Sequence, residues 1–232
     1  MTIQGIEGEL SVLPPIEGLA WLDNKFGNTV KLSTALGPEA QLLAHWISSQ
    51  QLDTEIFTID TGRLFQETYD LIDETNARLQ SNIKVYLPDA LSVESLVAAK
   101  GANSFYNSVD DRLECCRIRK VSPLKRALKD ATVWVTGLRA EQSHARQYCK
   151  LIEWNKTHEV IKYNPLIHWT QNEVMEQINT HNIPINKLLI KGFKSIGCQP
   201  CTRAVSEEEE DRAGRWWWED SHKECGLHLN PA

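Results

Sequence analysis

Residues 29–50 read TVKLSTALGPEAQLLAHWISSQ, and this stretch decides the fold. Its first part is mostly apolar or β-branched and predicts a β-strand over 29–36. Gly37-Pro38 ends the strand, and the residues that follow have helical spacing. The apolar positions on one face of that helix are Leu42, Leu43, Trp46 and Ile47. A strand that passes through a short turn into such a helix is the repeating unit of an α/β fold.

The same unit recurs along the chain. Further strands are predicted at EIFTID (55–60), NIKVYL (82–87) and ATVWVTG (131–137). Helices are predicted at about 16–27, 64–80, 92–100 and 172–182. This alternation predicts an α/β protein with a parallel sheet and flanking helices. Because ligands of such folds bind beyond the carboxyl ends of the strands, the candidate binding loops are 36–40, 60–63 and 137–146.

The periodic pattern covers the middle of the chain and divides it into three segments. Residues 1–15, which end in Pro14-Pro15, are expected to form a loose N-terminal arm. Residues 16–191 are expected to form the α/β domain. Residues 192–232 are rich in Gly, Trp, Cys and charge, and predict an irregular C-terminal segment.

The composition excludes several classes of protein. With 232 residues, 41% of them hydrophobic, the chain can bury a core, and its net charge of -6 excludes general nucleic-acid binding. The N-terminus lacks the basic start and apolar run of a signal peptide, and no stretch reaches the roughly 18 apolar residues of a membrane helix. We therefore expect a cytoplasmic protein whose six cysteines are thiols, metal ligands or catalytic groups.

Four cysteines have the arrangement of a soft-metal site. Cys115 and Cys116 are adjacent, and Cys198-Gln-Pro-Cys201 is a CxxC motif. A structural zinc ion is one interpretation, although adjacent thiolates reach one tetrahedral ion awkwardly. An iron–sulfur cluster is the other, because adjacent cysteines can bind different irons. A coincidental grouping is a third.

The remaining two cysteines differ in context. Cys149, in ARQYCKLIEW, begins a possible strand and is expected to be a buried, inert thiol. Cys225, in KECGLH, lies in a polar stretch near the C-terminus with basic neighbours that favour a thiolate. An exposed cysteine without a function is the alternative for Cys225.

Basic residues cluster beside the cysteine motifs and in one candidate loop. They are Arg117, Arg119 and Lys120 in CCRIRK, Arg212 and Arg215 in DRAGR, and Arg139 and Arg146 in TGLRAEQSHAR. Each alone is typical of a solvated surface charge, but together at the ligand edge of a sheet they suit a polyanion. The loop at Gly37 can cradle a phosphate with its backbone amides, or it is a plain strand–helix turn.

At this point the sequence resembles a known family. STALGPE, DTGRLFQETY, CCRIRK with PLKRAL, TGLRAEQS, KSIGCQPCTR, GRWWWED and KECGLH occur in the order found in assimilatory adenylyl-sulfate reductases, which belong to the phosphoadenylyl-sulfate reductase family. The resemblance covers about residues 29–228. It implies a fold similar to the adenine nucleotide α-hydrolases, so that 16–191 would be a nucleotide-binding domain.

The resemblance also implies a reaction: adenylyl sulfate is reduced to sulfite and AMP through an S-sulfocysteine, with thioredoxin or a similar dithiol as donor. It implies Cys225 as the catalytic residue and a [4Fe–4S] cluster held by Cys115, Cys116, Cys198 and Cys201. It implies phosphosulfate contacts from Lys120, Arg146, Arg212 and Arg215. It implies nucleotide contacts near Gly37, Thr61, Gly62 and Arg63.

Three alternatives remain open from the sequence. The substrate can be 3′-phosphoadenylyl sulfate, or both nucleotides. A non-catalytic iron–sulfur sensor that binds an adenine nucleotide would leave KECGLH without a function. An ATP pyrophosphatase of the same fold would carry an SGGxDS-type loop, which STALGPE does not match.

Overall fold

The structure is a computed structural model that describes residues 2–219, apart from the side chain of Ala145. Its centre is a six-stranded sheet in the order β3-β2-β1-β4-β6-β5. The strands are β1 (Val30–Thr34), β2 (Glu55–Ile59), β3 (Lys84–Tyr86), β4 (Val133–Val135), β5 (Ile152–Asn155) and β6 (Val160–Tyr163). All neighbouring strands are parallel except β5 and β6, which pair antiparallel.

Helices flank the sheet, as the sequence predicts. They are α1 (Ile3–Leu10), α2 (Pro15–Phe26), α3 (Pro38–Ser49), α4 (Gln66–Leu79), α5 (Ala90–Lys100), α6 (Val109–Cys116), α7 (Ser122–Ala127) and α8 (Gln171–Thr180). A π-helix, Arg117–Val121, connects α6 to α7. The predicted α/β class with a parallel sheet is confirmed, and the four predicted strands correspond to β1–β4.

Several elements were not predicted, among them α6, the π-helix and α7, and two others show the physical reason. The expectation of a loose arm is wrong for residues 3–10, which form α1, because Ile6 and Leu10 lie on one face and are buried in the core. Thr2 caps this helix by accepting a hydrogen bond from the backbone of Gly5 at 3.2 Å. Strand β6 was not predicted because its short run contains Lys162, which is fully buried and whose charge is paired with Glu153 at 2.7 Å.

The core lies on both faces of the sheet. Val133 and Val135 of β4 point into the larger cluster with α2, α3 and α8, whereas Trp134 between them points into a smaller cluster with Leu124 of α7. This alternation is the two-residue period of a strand. The core thus covers the two faces of the sheet, and the carboxyl ends of β1, β2 and β4 can contribute to a site.

The described part of the C-terminal segment, 192–219, is irregular, as expected. Its regular features are the 3₁₀ turn Gln199–Cys201 and an isolated antiparallel bridge between Thr202 and Arg215. The domain boundaries at 15 and 191 stay a prediction. None of the helices in the described part of the chain is both long and apolar enough to cross a membrane.

Candidate active site

A cavity of about 300 Å³ lies beyond the carboxyl ends of β1, β2 and β4. Residues of all three predicted loops line it, among them Gly37, Thr61 and Arg146. The C-terminal segment forms another part of the wall through residues 194–198 and through Asp211, Arg212, Arg215 and Trp216. The cavity therefore has the position that the topology of a parallel α/β sheet predicts for a ligand.

The N-terminus of α3 faces this cavity. Leu36 has a left-handed backbone (φ 60°), and its N–H donates to Oγ1 of Thr34 at 2.9 Å. Gly37 is the N-cap residue and provides no side-chain cap, and Pro38 has no N–H, so the N–H groups of Glu39 and Ala40 are the first of α3 that an anion can use. A Cβ at Gly137 would lie 3.0 Å from Cβ of Glu39 and 3.1 Å from the backbone N of Ala40. Glycine at 137 thus lets the β4 loop pack against this helix end.

The two arginines of the β4 loop have different surroundings. Arg139 is 3% exposed and pairs with Glu39 at 2.7 Å and with Glu141 at 3.0 Å, and it also donates to Gln171. Its charge is therefore engaged inside the protein. Arg146 lines the cavity and donates to Oε1 of Gln142.

Four further basic residues reach the cavity from other segments. Lys120 comes from the π-helix, and Lys194, Arg212 and Arg215 come from the C-terminal segment. Arg215 is 6% exposed; its Nη1 donates to the carbonyl of Ile196 at 3.3 Å, and its Nε has no hydrogen-bond partner among the described residues. The four predicted phosphosulfate contacts thus line one cavity.

The predicted loop at Thr61, Gly62 and Arg63 is divided between two places. Thr61 is buried and lines the large cavity. Gly62 has a left-handed backbone (φ 70°), and its N–H donates to Asp60 at 2.7 Å. Arg63 turns toward the cysteines, where its guanidinium lies 5.1 Å from the centre of the Phe105 ring. Among the residues that the structure describes, only Thr61 of this loop lines the large cavity.

All four predicted ligand cysteines line a second, small cavity. Its volume is about 10 Å³, and its lining includes Cys115, Cys116, Cys198 and Cys201, which form no disulfide among the described residues. Within residues 2–219, no group of three or more His, Cys, Asp or Glu side chains is so arranged that it could hold a metal ion. The four side chains therefore share one cavity without being gathered around one ion. Four thiols as donors fit a thiolate-bound iron–sulfur group.

The environment of the cysteines is not uniform. Burial raises the pKa of the Cys198 thiol, but the charge of Lys120, a hydrogen bond from Thr61 and the charge of Arg215 outweigh it and leave that pKa below its ordinary value. Burial and then Cys198 raise the pKa of Cys201 to about 12. Burial also raises the pKa of Cys115, against the charge of Arg119. Of Cys115, Cys198 and Cys201, Cys198 is thus the thiol that its surroundings favour as a thiolate.

The two cavities share a wall. Lys120 and Cys198 line both of them, and the two side chains are hydrogen-bonded to each other. Sγ of Cys198 also lies 3.3 Å from Oγ1 of Thr61. An anion in the large cavity would therefore lie next to the cysteine group, with a lysine between them.

Several residues of the site were not assigned an individual contact from the sequence. Arg119 is buried and donates to the carbonyl of Thr61 at 2.6 Å, which ties the π-helix to the β2 loop. In the sequence, only the position of Arg119 in the CCRIRK motif indicates that it belongs to the site. Gly197 and Trp216 pack against Arg215, and only their neighbours CxxC and Arg215 point to them in the sequence. The predicted catalytic residue, Cys225, lies outside the described residues.

Comparison with known proteins agrees with this geometry. The family model described as "Phosphoadenosine phosphosulfate reductase domain" matches residues 29–204. The "Adenosine 5'-phosphosulfate reductase" of Rhizobium meliloti (strain 1021) is 42% identical over 228 residues, which are 98% of this chain and 82% of that protein.

Two solved structures are similar. The phosphoadenylyl-sulfate (PAPS) reductase of Candida auris, in a phosphate complex, has a TM-score of 0.74 and 30% identity over 88% of this chain and 96% of that one. The Candida glabrata FMN adenylyltransferase, with a TM-score of 0.55 and 16% identity over 90% and 68%, shares the fold alone. The resemblance that the sequence motifs indicate is confirmed. This chain belongs to the phosphoadenosine phosphosulfate reductase domain family.

Proposed function

We propose that this protein reduces adenylyl sulfate to sulfite and AMP in sulfate assimilation, with thioredoxin or a similar dithiol as electron donor. The observation that carries the proposal is the wall of Lys120 and Cys198 between the large cavity and the cysteine cavity. It provides a place for a nucleotide whose sulfate end reaches thiol chemistry. The relative from Rhizobium meliloti is named for this activity.

The large cavity suits an adenine nucleotide. Part of its wall is apolar, with Leu36, Phe57 and Ile59 among the lining residues, and the N-terminus of α3 opens into it. A flat base packs well against apolar side chains, whereas a phosphate is stabilised by the free amides and the dipole of a helix N-terminus. The two ends of the ligand would thus meet different surroundings.

Charge supports an anionic ligand. Among the described residues that line the cavity, six are basic and two, Glu39 and Asp211, are acidic, which leaves an excess of four positive charges. The two carboxylates lie in ion pairs with Arg139 and with Lys194. We assign the phosphosulfate to the remaining basic residues, Lys120, Arg146, Arg212 and Arg215.

The first step of the proposed reaction is covalent. The Cys225 thiolate attacks the sulfur of adenylyl sulfate, the bond between sulfur and the bridging oxygen breaks, and AMP leaves with that electron pair. An S-sulfocysteine forms on the protein. The basic residues around the phosphate stabilise the negative charge that grows on the departing AMP.

The second step releases the product. One thiolate of reduced thioredoxin, or of a similar dithiol, attacks Sγ of Cys225, and sulfite leaves with the electron pair of the sulfur–sulfur bond. The second thiol of the donor then resolves the mixed disulfide and regenerates the Cys225 thiol. The donor is oxidised to a disulfide by two electrons, which balances the reduction of the sulfate group to sulfite.

We assign Cys115, Cys116, Cys198 and Cys201 as the residues that would hold a [4Fe–4S] cluster. When bound, such a cluster supplies a redox-capable, charged centre beside the anion site. The dithiol already provides both electrons, so the cluster is not needed as the electron donor. We propose instead that the cysteine group connects α6 to the C-terminal segment and determines the electrostatic field at Lys120. Cysteines that form no disulfide also suit a reducing compartment, and we place the protein in the cytoplasm.

The second candidate substrate is 3′-phosphoadenylyl sulfate. It is favoured by the similarity to the Candida auris structure, which is described as a phosphoadenylyl-sulfate reductase. The chemistry at sulfur would be the same, and the difference would lie at the ribose end of the cavity.

One experiment tests the proposal. The full chain, purified without air, is supplied with adenylyl sulfate or its 3′-phosphorylated form and with reduced thioredoxin, and sulfite release is measured. We expect sulfite from adenylyl sulfate at the higher kcat/KM, and none from the Cys225→Ser variant. Pyrophosphate release from ATP without sulfite, or nucleotide binding without turnover, would contradict the proposed reaction.

A further inference from the structure

Trp216 lines the large cavity, packs in one cluster with Cys198 and Cys201, and contacts several cations. Its side chain is fully buried, and the guanidinium carbons of Arg112 and Arg215 each lie 4.7 Å from the centre of its ring. Nζ of Lys120 lies 5.9 Å from the same centre. A cation over an indole ring is attracted by the ring electrons, and this attraction is strongest where water is excluded.

The backbone holds this ring in one place. The N–H of Trp216 donates to the carbonyl of Cys201 at 3.2 Å, and its carbonyl accepts from the N–H of Glu219 at 2.9 Å. Trp216 also has a left-handed backbone (φ 45°), which a bulky residue adopts only where its surroundings enforce it. The ring is therefore a fixed surface rather than an adaptable one.

Arg112 is held in place by an ion pair with Glu219. It belongs to α6 and is 1% exposed, and its Nε donates to Oε1 of Glu219 at 2.6 Å. Arg112 lines the cysteine cavity, and among the described residues it is not part of the lining of the large one. Any effect of Arg112 on a ligand in the large cavity must then pass through another side chain.

Arg215 is the side chain at the ligand end. It lines the large cavity, and its buried Nε has no hydrogen-bond partner among residues 2–219. Gly197 leaves the space for its guanidinium, since a Cβ there would lie 2.5 Å from Cζ of Arg215. The guanidinium is thus confined between Gly197 and the ring of Trp216, with donors that a ligand can use.

We propose that Arg112 is a positioning residue that acts through Trp216: by fixing the indole ring, it orients the guanidinium of Arg215 toward the anionic group of the ligand. The inference rests on the proposed function only for the identity of that ligand, adenylyl sulfate. Arg112 touches neither the nucleotide nor the reacting sulfur. The series Glu219, Arg112, Trp216 and Arg215 connects the end of the described chain to the anion site.

A double-mutant cycle tests this inference in the full-length protein with Cys225→Ser, which cannot turn over. The dissociation constant of adenylyl sulfate is measured by calorimetry for Arg112→Met, for Arg215→Ala and for both together. We expect Arg112→Met to weaken binding about tenfold when Arg215 is present and less than about twofold when it is absent. Arg112→Lys, which keeps the charge opposite Glu219, should restore affinity to within about threefold.

Controls separate positioning from folding. Arg78→Met removes the same charge from an exposed residue of α4 that is in the lining of neither cavity, and it should leave the dissociation constant unchanged. If Arg112→Met leaves Glu219 buried without its partner and fails to fold, Arg112→Met with Glu219→Gln replaces it in the cycle. Thermal unfolding and iron content are recorded for every variant.

The outcomes are distinguishable. An equal loss of affinity with and without Arg215 would show a general structural effect and would overturn the positioning role. An unchanged dissociation constant in Arg112→Met would overturn it as well. If the Cys225→Ser parent does not bind adenylyl sulfate at all, the proposed function itself fails, and the ligand assigned to Arg215 fails with it.

Discussion

Arg139 and Arg146 lie on one loop and carry the same charge, yet their partners differ. Arg139 is buried against Glu39 and Glu141, whereas Arg146 lines the cavity beside Gln142. The sequence alone cannot separate them, because each is an arginine in TGLRAEQSHAR. The distinction comes from Glu39, which lies 100 residues before Arg139 and reaches it only in the folded chain.

These two arginines should respond differently to removal. Arg146→Ala should weaken adenylyl sulfate binding about ten- to hundredfold, the value of one charge-assisted contact, and leave stability unchanged. Arg139→Ala should lose about 3–5 kcal/mol of unfolding free energy, because it leaves the buried Glu39 without its guanidinium. Calorimetry and denaturant unfolding measure the two effects. Equal stability losses in both variants would contradict the assignment.

Gly197 sets the position of a neighbouring side chain in the same way. Gly197→Ala places a methyl group 2.5 Å from Cζ of Arg215, so the guanidinium must move away from the anion site. We expect a rise in the KM for adenylyl sulfate of about tenfold or more, in the range of a lost charged contact. Gly8→Ala is the matched control, because nothing lies within 4 Å of a Cβ added at Gly8. This substitution should raise the stability of α1 without changing the KM.

At the scale of elements, the π-helix Arg117–Val121 determines what surrounds the cysteines. It directly follows Cys116 at the end of α6, and it buries Arg119 and Lys120. A π-helical turn is wider than an α-helical one and is frequent at functional sites. Here it brings two basic residues and two cysteines to one small cavity, which Cys198 and Cys201 complete from the C-terminal segment.

The cysteines of these elements are predicted to differ from Cys149. Cys116→Ser should lose the iron and sulfide of the cluster, because serine is a poor ligand for iron–sulfur centres and the remaining thiols cannot close the site. Cys149→Ser should retain both. Iron and sulfide are determined on protein purified without air. Stoichiometric zinc without sulfide in the parent protein would contradict the cluster assignment.

Helices and strands whose apolar residues repeat with a regular spacing were predictable from the sequence. Those that depend on contacts with distant parts of the chain were not. β1 and α3 are encoded by an apolar run and a helical stripe around Gly37-Pro38. Helix α1 was not predicted because it is short and its apolar residues pack against elements far along the chain. Strand β6 was not predicted because Lys162 in its centre is tolerated only through the ion pair with Glu153.

For the whole molecule, the sheet fixes where a ligand binds but not which reaction follows. An FMN adenylyltransferase shares this fold, so the chemistry must come from the residues placed at the sheet edge. The C-terminal segment contributes Arg212, Arg215 and two of the cysteines to that edge. Their types and motifs were readable from the sequence. The arrangement of Arg112, Trp216 and Glu219 was not, because it depends on contacts across more than 100 residues.

The last prediction concerns the complete reaction. Cys225→Ser should keep its iron and bind nucleotide but make no sulfite, because a serine hydroxyl is too weakly acidic to replace the thiolate. Wild-type protein mixed with adenylyl sulfate alone should gain the mass of one sulfonate on the peptide that contains Cys225, and reduced thioredoxin should remove it. Mass spectrometry measures this change.

The alternative mechanism gives the opposite result. If electrons passed directly from the cysteine group to the bound nucleotide, the Cys225 peptide would gain no mass. Cys225→Ser would then keep substantial turnover with reduced thioredoxin. Either observation is sufficient to reject the S-sulfocysteine.

The wall of Lys120 and Cys198 makes the two cavities thermodynamically dependent on each other. Since both side chains border both spaces, the free energy of filling one includes their response to the contents of the other. Such linkage is reciprocal: whatever factor an occupied cysteine cavity adds to nucleotide affinity, bound nucleotide adds to the retention of that occupant. If an occupied cysteine cavity strengthens nucleotide binding, bound adenylyl sulfate slows the loss of the occupant by the same factor, and if it weakens binding, the nucleotide speeds that loss.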